Sequence, residues 1–390
     1  LNRSSDLKYC ITLFPAKVDI PGYVALVGMG RYQDAVKLIR KDNPFPTACA
    51  LICEHPCEAR CRRNMIDSSV NIRGLKRMAA DYAGKVPPPE CAPSTGKRIA
   101  VVGGGPGGLS AAYYLQLMGH QTTVFEMLPK LGGMLRYGIP NYRLPKDRLD
   151  EDIQAILETG VQVEFGKRIG KDITIQSLRQ EYDAVLISIG ASTDKKLGIE
   201  GEHAEGVISA VSFLRDVGED KSPDLTGQEV AVIGGGNVSM DAVRTVKRLG
   251  AKKVSIVYRR RTADMTALPA EIEGAVAEGI EVLTLKAPSR IETGENGHVS
   301  GIYVTPQMIS KIKDGRASVC PTGEEDFLIP CQTLIVAIGQ DIESEHFAEA
   351  GVPVSRGKIM TERYGGFDNI PGVFAGGDCA SGPASVIKAI

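Results

Sequence analysis

Two glycine-rich turns constrain this chain more than any other feature: Gly103-Gly104-Gly105-Pro106-Gly107-Gly108 and Gly234-Gly235-Gly236-Asn237. Each follows an apolar run of strand character and opens a helical one. In the first, Arg98 to Val102 reads as a buried parallel strand and Leu109 to Met118 as the helix. Gly103, Gly105 and Gly108 fall at the G-x-G-x-x-G positions. The first glycine permits a tight turn, the second lets backbone approach a pyrophosphate, and the third lets helix and strand pack closely. Free N–H groups at the helix start, around Pro106 and Gly107, favour a phosphate. The next strand, Gln121 to Phe125, ends at Glu126, where a carboxylate can meet a ribose hydroxyl. The alternative is a strand–helix turn that holds no ligand.

The second turn follows Glu229 to Ile233 and opens a helix from Val238 to Leu249. Ser239 stands at the third-glycine position, so close packing is relaxed there. The following strand, Val254 to Tyr258, ends in Arg259-Arg260-Arg261 and not in an acid. A carboxylate would repel a 2′-phosphate, whereas guanidinium groups bind one through charge-assisted pairs. NADP(H) is therefore favoured over NAD(H) at Gly234, Gly236, Asn237, Val238, Arg259 and Arg260. A solvated basic loop is the other reading, and it leaves NAD(H) equally open.

A chain of 390 residues has room for two or three domains. A net charge of −1 offers nothing to nucleic acid or an anionic membrane surface. No signal peptide and no apolar run of membrane-spanning length occur, so membrane insertion is not expected. Beginning at Leu1 and stopping at Ile390 within a helical run, the sequence reads as the ordered part of a longer polypeptide. Its nine cysteines are an odd number, with Cys49, Cys53, Cys57 and Cys61 in one C-x3-C-x3-C-x3-C run. That pattern argues against a secreted disulfide framework and for a reducing, cytoplasmic compartment.

Residues 1–92 read as a helical, cysteine-containing domain, with apolar periodicity at Val24 to Ile39 and Ile72 to Tyr82. A proline-rich linker from Val86 to Gly96 separates it from alternating strands and helices. The expected fold class is α/β, with two Rossmann-like dinucleotide-binding domains. One spans 97–225 and 331–390; the other, 226–330, is inserted into it and carries a hairpin turn at Glu295-Asn296-Gly297. The apolar strands ending at Gly190 and at Gly339 share a small-residue exit suited to cofactor approach, and another strand ends in Gly377-Asp378.

These motifs together resemble the glutamate synthase small (beta) subunit and related FAD- and NAD(P)H-dependent oxidoreductases. Gly132-Gly133-Met134-Leu135-Arg136-Tyr137-Gly138-Ile139-Pro140, followed by Arg143-Leu144-Pro145, is the most specific stretch. Val257-Tyr258-Arg259-Arg260 and Gly377-Asp378 with Gly382-Pro383 add to it. The resemblance implies FAD on the first domain and NAD(P)H on the inserted one. Gly103, Gly105, Pro106, Gly107, Gly108 and Glu126 would hold the ADP half. Gly133, Leu135 and Arg143 would lie along the flavin, with Gly190 and Gly339 at strand exits near it. Asp378 would meet the ribityl or pyrophosphate region, and Ser385 and Val386 would start a helix aimed at the flavin pyrimidine. Such proteins position two cofactors and need no acid–base triad.

The resemblance also implies two [4Fe–4S] clusters in the N-terminal domain, and here the sequence departs from the pattern. Cys10 matches one upstream ligand, but Asn2, Ser5 and Phe14 stand where other cysteines are expected. Lys76 and Arg77 occupy the region of a Glu or Gln ligand. A continuous helix would spread Cys49 to Cys61 over about 18 Å, too far for one cluster, although Pro56 should break it. One non-standard cluster on Cys49, Cys53, Cys57 and Cys61, or an emptied cluster fold, are the two readings left open.

The function expected is a flavoprotein subunit moving electrons between NAD(P)H and a partner iron–sulfur or catalytic redox subunit. A disulfide reductase needs a cysteine pair beside the flavin, yet no cysteine lies between Cys91 and Cys320, and Cys320 and Cys331 are poorly placed. A structural or regulatory subunit that keeps FAD without nicotinamide turnover is the alternative from another class.

Overall fold

The computed structural model describes residues 16–313 and 316–390. The chain divides into two compact units, the first made of 16–136, Asn141–Ser192 and Ile342–Ile390, the second of Tyr137–Pro140 and Thr193–Asp341.

The first unit opens with helices Ile20–Gly28, Tyr32–Arg40, Pro46–Ile52 and Ile72–Tyr82. The apolar stretch from Val24 to Ile39 is thus two helices, because Met29-Gly30-Arg31 turns the chain with Gly30 at φ +72°. Helix Pro46–Ile52 packs on helix Lys146–Leu157. Fully buried Asp152 joins them, accepting hydrogen bonds from the N–H groups of Ala48 (2.8 Å) and Thr47 (3.3 Å). These are first-turn donors with no partner inside their own helix, so the carboxylate caps across more than a hundred residues of sequence.

Behind the helices lies a five-stranded parallel sheet in the order Val373–Ala375, Ala184–Ile187, Arg98–Val102, Gln121–Glu126, Gln162–Phe165. Its central strands are apolar on both faces, as helix-covered parallel strands must be. The chain order reverses between Arg98–Val102 and Ala184–Ile187. Such a switch point opens a crevice beyond the carboxyl ends of the strands, and the first glycine turn sits there.

The second unit repeats the design. Its parallel sheet runs Val207–Ser209, Thr333–Val336, Glu229–Ile233, Lys253–Tyr258, Glu281–Thr284. After Glu281–Thr284 the chain enters an antiparallel excursion, Lys286–Thr293, Val299–Lys313, Arg316–Pro321 and Phe327–Pro330. The expected hairpin is present, with Gly297 at φ +76°.

The unit boundaries differ from those expected. Residues 193–225 and 331–341 stand in the second unit and not in the first. Strand Thr333–Val336 pairs with Glu229–Ile233 on one side and Val207–Ser209 on the other. An apolar strand ending in glycine reads alike for either sheet, so only pairing distinguishes them.

Candidate functional site

In the first unit, glycine is required at Gly103 for a steric reason. It has φ +108°, and a Cβ there would lie 2.4 Å from the Ser188 carbonyl oxygen. At Gly108 a Cβ would meet the Gly103 carbonyl at 1.9 Å, so the third glycine is what lets helix Pro106–Leu117 sit on its strand. Gly105 is different. Nothing lies within 3.8 Å of its virtual Cβ, and the nearest atom is the Cα of Gly133. Gly107 in turn has Gly377 Cα at 3.7 Å and Ser188 Oγ at 2.8 Å from the same construction. Gly105 therefore faces Gly133, and Gly107 faces Gly377, as bare backbone near the switch point, a cradle that side chains would fill.

Three polar groups surround the cradle. Glu126, 6% exposed, accepts from Gly104 N at 2.7 Å through one oxygen and Leu128 N at 2.8 Å through the other. Burial raises its carboxyl above the usual range, and these N–H groups oppose that rise. Asp378 begins the short helix after strand Val373–Ala375, and its Oδ1 is buried without a partner among the described residues. Burial raises its carboxyl too. An orphaned acceptor of this kind is a place for a hydroxyl donor from a ligand. Ser188, missed in the sequence, supplies a hydroxyl between Gly107 and Gly377; its only sequence signal was the small-residue exit of its strand.

The remaining expected flavin residues divide. Leu135 is buried and Arg143 half-buried. Between them Arg136, also missed, is buried and holds the segment by bonding the Leu131 carbonyl and Asp150. Gly190 has φ +69° with open space around its virtual Cβ. Ser385 precedes a four-residue helix, Val386–Ala389, without a side-chain bond to it. Gly339 does not join this group: it follows the strand Thr333–Val336 in the second unit, where its neighbour is Lys195. The bare-backbone cradle and the orphaned acceptor fit a flavin dinucleotide.

In the second unit, Gly234 has φ +142° and its virtual Cβ lies 2.3 Å from the Ala337 carbonyl. Ser239, fully buried, donates its hydroxyl to that same carbonyl at 3.4 Å. Gly236 caps helix Asn237–Arg248 and has only Thr266 Oγ1 at 3.4 Å from its virtual Cβ. Asn237 accepts from Leu268 N at 3.0 Å, tying the turn to the loop beyond the second strand, and Val238 packs against the unit's core.

The three arginines that looked alike in sequence are not alike in space. Arg259 is exposed. Arg260 donates Nε to the Ala317 carbonyl at 2.9 Å. Arg261 spends its fork on Asp264, Nε to Oδ2 at 2.8 Å and Nη2 to Oδ1 at 3.0 Å. That pairing holds the Asp264 carboxyl well below the usual carboxylate range.

In the N-terminal helices, Cys49 is buried on Pro46–Ile52, Cys53 follows that helix in extended conformation, and His55 at φ +40° turns the chain into Pro56–Ala59. The run from Cys49 to Cys61 is thus broken before Pro56 and is not one helix. Cys49 and Cys57 both lie near the buried Lys76, whose Nζ is 5.9 Å from the centre of the Tyr23 ring. Burial pushes the Cys49 thiol up to about 12 and the Cys57 thiol to about 11, with Lys76 opposing in each case. Among the described residues, no three cysteine, histidine or acidic side chains converge as a metal-holding group. Soft thiols in an enclosed setting suit iron–sulfur chemistry, but these donors alone do not complete a four-thiolate set. Asn2, Ser5, Cys10 and Phe14 lie outside the described residues. No helix among the described residues is long and apolar enough to cross a membrane.

Comparison with known proteins agrees with these features. Residues 97–390 match the family model of the pyridine nucleotide-disulphide oxidoreductases, and residues 4–86 that of dihydropyrimidine dehydrogenase domain II, 4Fe-4S cluster. The chain is 38% identical to the NADP(+)-dependent formate dehydrogenase subunit beta of Moorella thermoacetica, over 98% of this chain and 58% of that protein. It is 36% identical to the NADPH-Fe(3+) oxidoreductase subunit beta of Geobacter sulfurreducens, over 98% and 61%. It therefore spans about three-fifths of the length of these two relatives. With the glutamate synthase [NADPH] small chain of Escherichia coli K12 it shares 32% identity over 98% of this chain and 85% of that one. Among solved structures, Mycobacterium tuberculosis FprA in complex with NADPH shares the fold at TM-score 0.63 and 22% identity, covering 76% of this chain and 81% of that one. FAD and NADP(H) are the cofactors these matches carry, with a 4Fe-4S cluster domain at the N-terminal end. Two glycine turns on parallel sheets, an acid after one and arginines after the other, are thus the marks of a chain that belongs to the pyridine nucleotide-disulphide oxidoreductase family, among the relatives of the glutamate synthase small chain.

Proposed function

We propose that this chain is the flavin and nicotinamide module of a larger oxidoreductase, moving electrons between NADP(H) and a partner iron–sulfur or catalytic redox subunit through FAD. Bound FAD supplies a centre that takes a hydride and gives up electrons singly. The observation that carries the reading is the cradle of Gly105, Gly107, Gly133 and Gly377 beside the orphaned oxygen of Asp378. Bare backbone there admits a pyrophosphate against the start of helix Pro106–Leu117. Asp378, an acceptor that would repel a phosphate, serves a ribityl hydroxyl, so of its two expected partners the ribityl chain is the better. Glu126 holds an adenosine ribose hydroxyl with the lone pairs its two backbone donors leave over.

On the second unit, Gly234 and Gly236 admit the nicotinamide dinucleotide, and Arg259 with Arg260 receives its 2′-phosphate. An intact second turn speaks against a purely structural subunit. The relatives named as beta subunits and as a small chain support a partner subunit, as does the missing cysteine pair that would serve as an internal acceptor. In the N-terminal helices, Cys49, Cys53, Cys57 and Cys61 are the candidate thiols for a single cluster, which would have to draw together side chains that do not converge among the described residues. Iron analysis should give no more than about four irons per chain, since each such cluster takes four protein ligands; eight would overturn that part.

The flavin reading is tested by Gly105→Val. Because the nearest atom among the described residues to a Cβ at Gly105 is the Gly133 Cα at 3.8 Å, the valine side chain burdens the ligand far more than the fold. The variant should melt like the wild type after both are stripped of flavin, yet fail to take up FAD. Normal flavin content would refute the assignment.

A further inference from the structure

Why three arginines follow the second unit's strand Lys253–Tyr258 when two suffice to meet a phosphate is answered by Asp264. We infer that Asp264 is a positioning residue for nucleotide choice: it withdraws Arg261 from the ligand and stitches the arginine loop to strand Arg316–Pro321, so that Arg260 is held for the 2′-phosphate. This rests on the NADP(H) reading given above and names the device behind it.

The geometry is a closed ring of bonds. Asp264, its side chain 1% exposed, receives both the guanidinium and the backbone N–H of Arg261, the latter at 3.3 Å. Its Oδ1 also accepts Ala317 N at 3.3 Å, and the carbonyl of that same Ala317 accepts Arg260 Nε at 2.9 Å. Arg260 is fixed at its backbone as well, where its carbonyl accepts Leu285 N at 3.1 Å. Tyr258 closes the loop from below, donating its hydroxyl to the Asp264 carbonyl at 2.8 Å.

Two consequences follow. The Arg261 charge is neutralised by a buried carboxylate in a two-point pair, which leaves Arg259 and Arg260 as the uncompensated cations of the run. Two positive charges match the roughly −1.5 to −2 charge of a phosphate monoester. With Nε tied to Ala317, Arg260 keeps only its two terminal nitrogens, which have no partner among the described residues, and loses less side-chain freedom on binding a phosphate than a loose arginine would. Arg259, exposed, adds charge without such tethering.

The test uses flavin-loaded full chain and two probes, 2′,5′-ADP and 5′-AMP, which differ only in the 2′-phosphate. Wild type should prefer 2′,5′-ADP, and Arg260→Ala should remove most of that preference. Asp264→Asn should weaken 2′,5′-ADP about tenfold, leave 5′-AMP unchanged, and have no further effect when combined with Arg260→Ala. Arg261→Lys keeps the charge but loses the fork, and it carries the same prediction should the asparagine variant not fold. If wild type shows no preference, the NADP(H) reading falls and this inference with it. If Arg260→Ala costs the preference while Asp264→Asn and Arg261→Lys bind as wild type, or tighter because Arg261 is released, the inference alone is refuted. Equal weakening of both probes would assign Asp264 a merely structural role and refute it as well.

Discussion

The two glycine turns are built on one plan and differ at two points. In each, the first glycine lies against a carbonyl just past the strand that pairs with its own, Ser188 in one unit and Ala337 in the other. At the third position the first turn has Gly108, where an added Cβ would lie 1.9 Å from the Gly103 carbonyl oxygen, and the second has Ser239, whose hydroxyl bonds the Ala337 carbonyl. After the second strand the first has a buried glutamate and the second an arginine run with one member neutralised. The frame fixes that a dinucleotide can be held. In the proposed reading, the group after the second strand selects which one, because a carboxylate accepts hydroxyls and repels phosphate.

The contrast breaks most visibly at the third position. Gly108→Ser, which copies the second turn into the first, should cost several kcal/mol and abolish flavin binding, because backbone and not a flexible side chain occupies the space. The reverse exchange, Ser239→Gly, should cost only about 1 kcal/mol, the worth of one buried hydrogen bond. Thermal melts of both variants check this, and equal losses would show that the two turns are not different in the way described.

Next in size is the arginine run. Arg259→Ala combined with Arg260→Ala should weaken NADPH by about 100-fold, on the scale of two charge-assisted bonds, and leave NADH nearly unchanged. Apparent affinities from flavin reduction measure it. A parallel loss for both nucleotides would mean that the arginines shape the loop and do not read the phosphate.

A smaller effect separates two buried carboxylates. Asp264 is held ionised by Arg261, so its contribution to stability is present above the ordinary carboxylate range and lost as pH falls through and below it. Asp152 behaves oppositely. Burial pushes its carboxyl up to about 7, so the folded chain keeps a proton that the unfolded chain, ionising near 4, has lost. Its contribution therefore declines as pH rises from about 4 to about 7 and is flat above. Thr47 and Ala48 bond different oxygens of Asp152, so Asp152→Asn keeps an acceptor for only one of these N–H groups and should lower stability somewhat, but it should remove that decline. Urea unfolding at pH 5 and pH 7.5 tests it, and an unchanged slope would show that Asp152 is ionised throughout.

Much of this was legible in the sequence, for identifiable reasons. Strands such as Arg98–Val102 and Glu229–Ile233 announce themselves as short apolar runs ahead of glycine, where local sterics and tertiary role agree. The strand Thr333–Val336 carries an identical signal, and the sequence assigned it to the wrong unit because apolar period says nothing of the neighbour it will pair with. The break before Pro56 follows from its missing N–H, whereas the split of the 24–39 stretch at Gly30 has no such signal, since one glycine only weakens a helical pattern. Ser188, Asp264 and the tie from Asp152 to helix Pro46–Ile52 left little trace in the chain. Each works through contacts with partners tens of residues away, and a serine or aspartate after a strand looks the same whether it holds a site or faces water.

The central claim, a flavin on the first frame read by NADPH on the second, is tested most directly by anaerobic titration of the flavin-loaded chain with NADPH and with NADH, following the flavin absorbance. The protein should be yellow, and NADPH should bleach it at far lower concentration than NADH does. A protein that holds no flavin, or whose flavin NADH reduces as readily as NADPH, would contradict that claim.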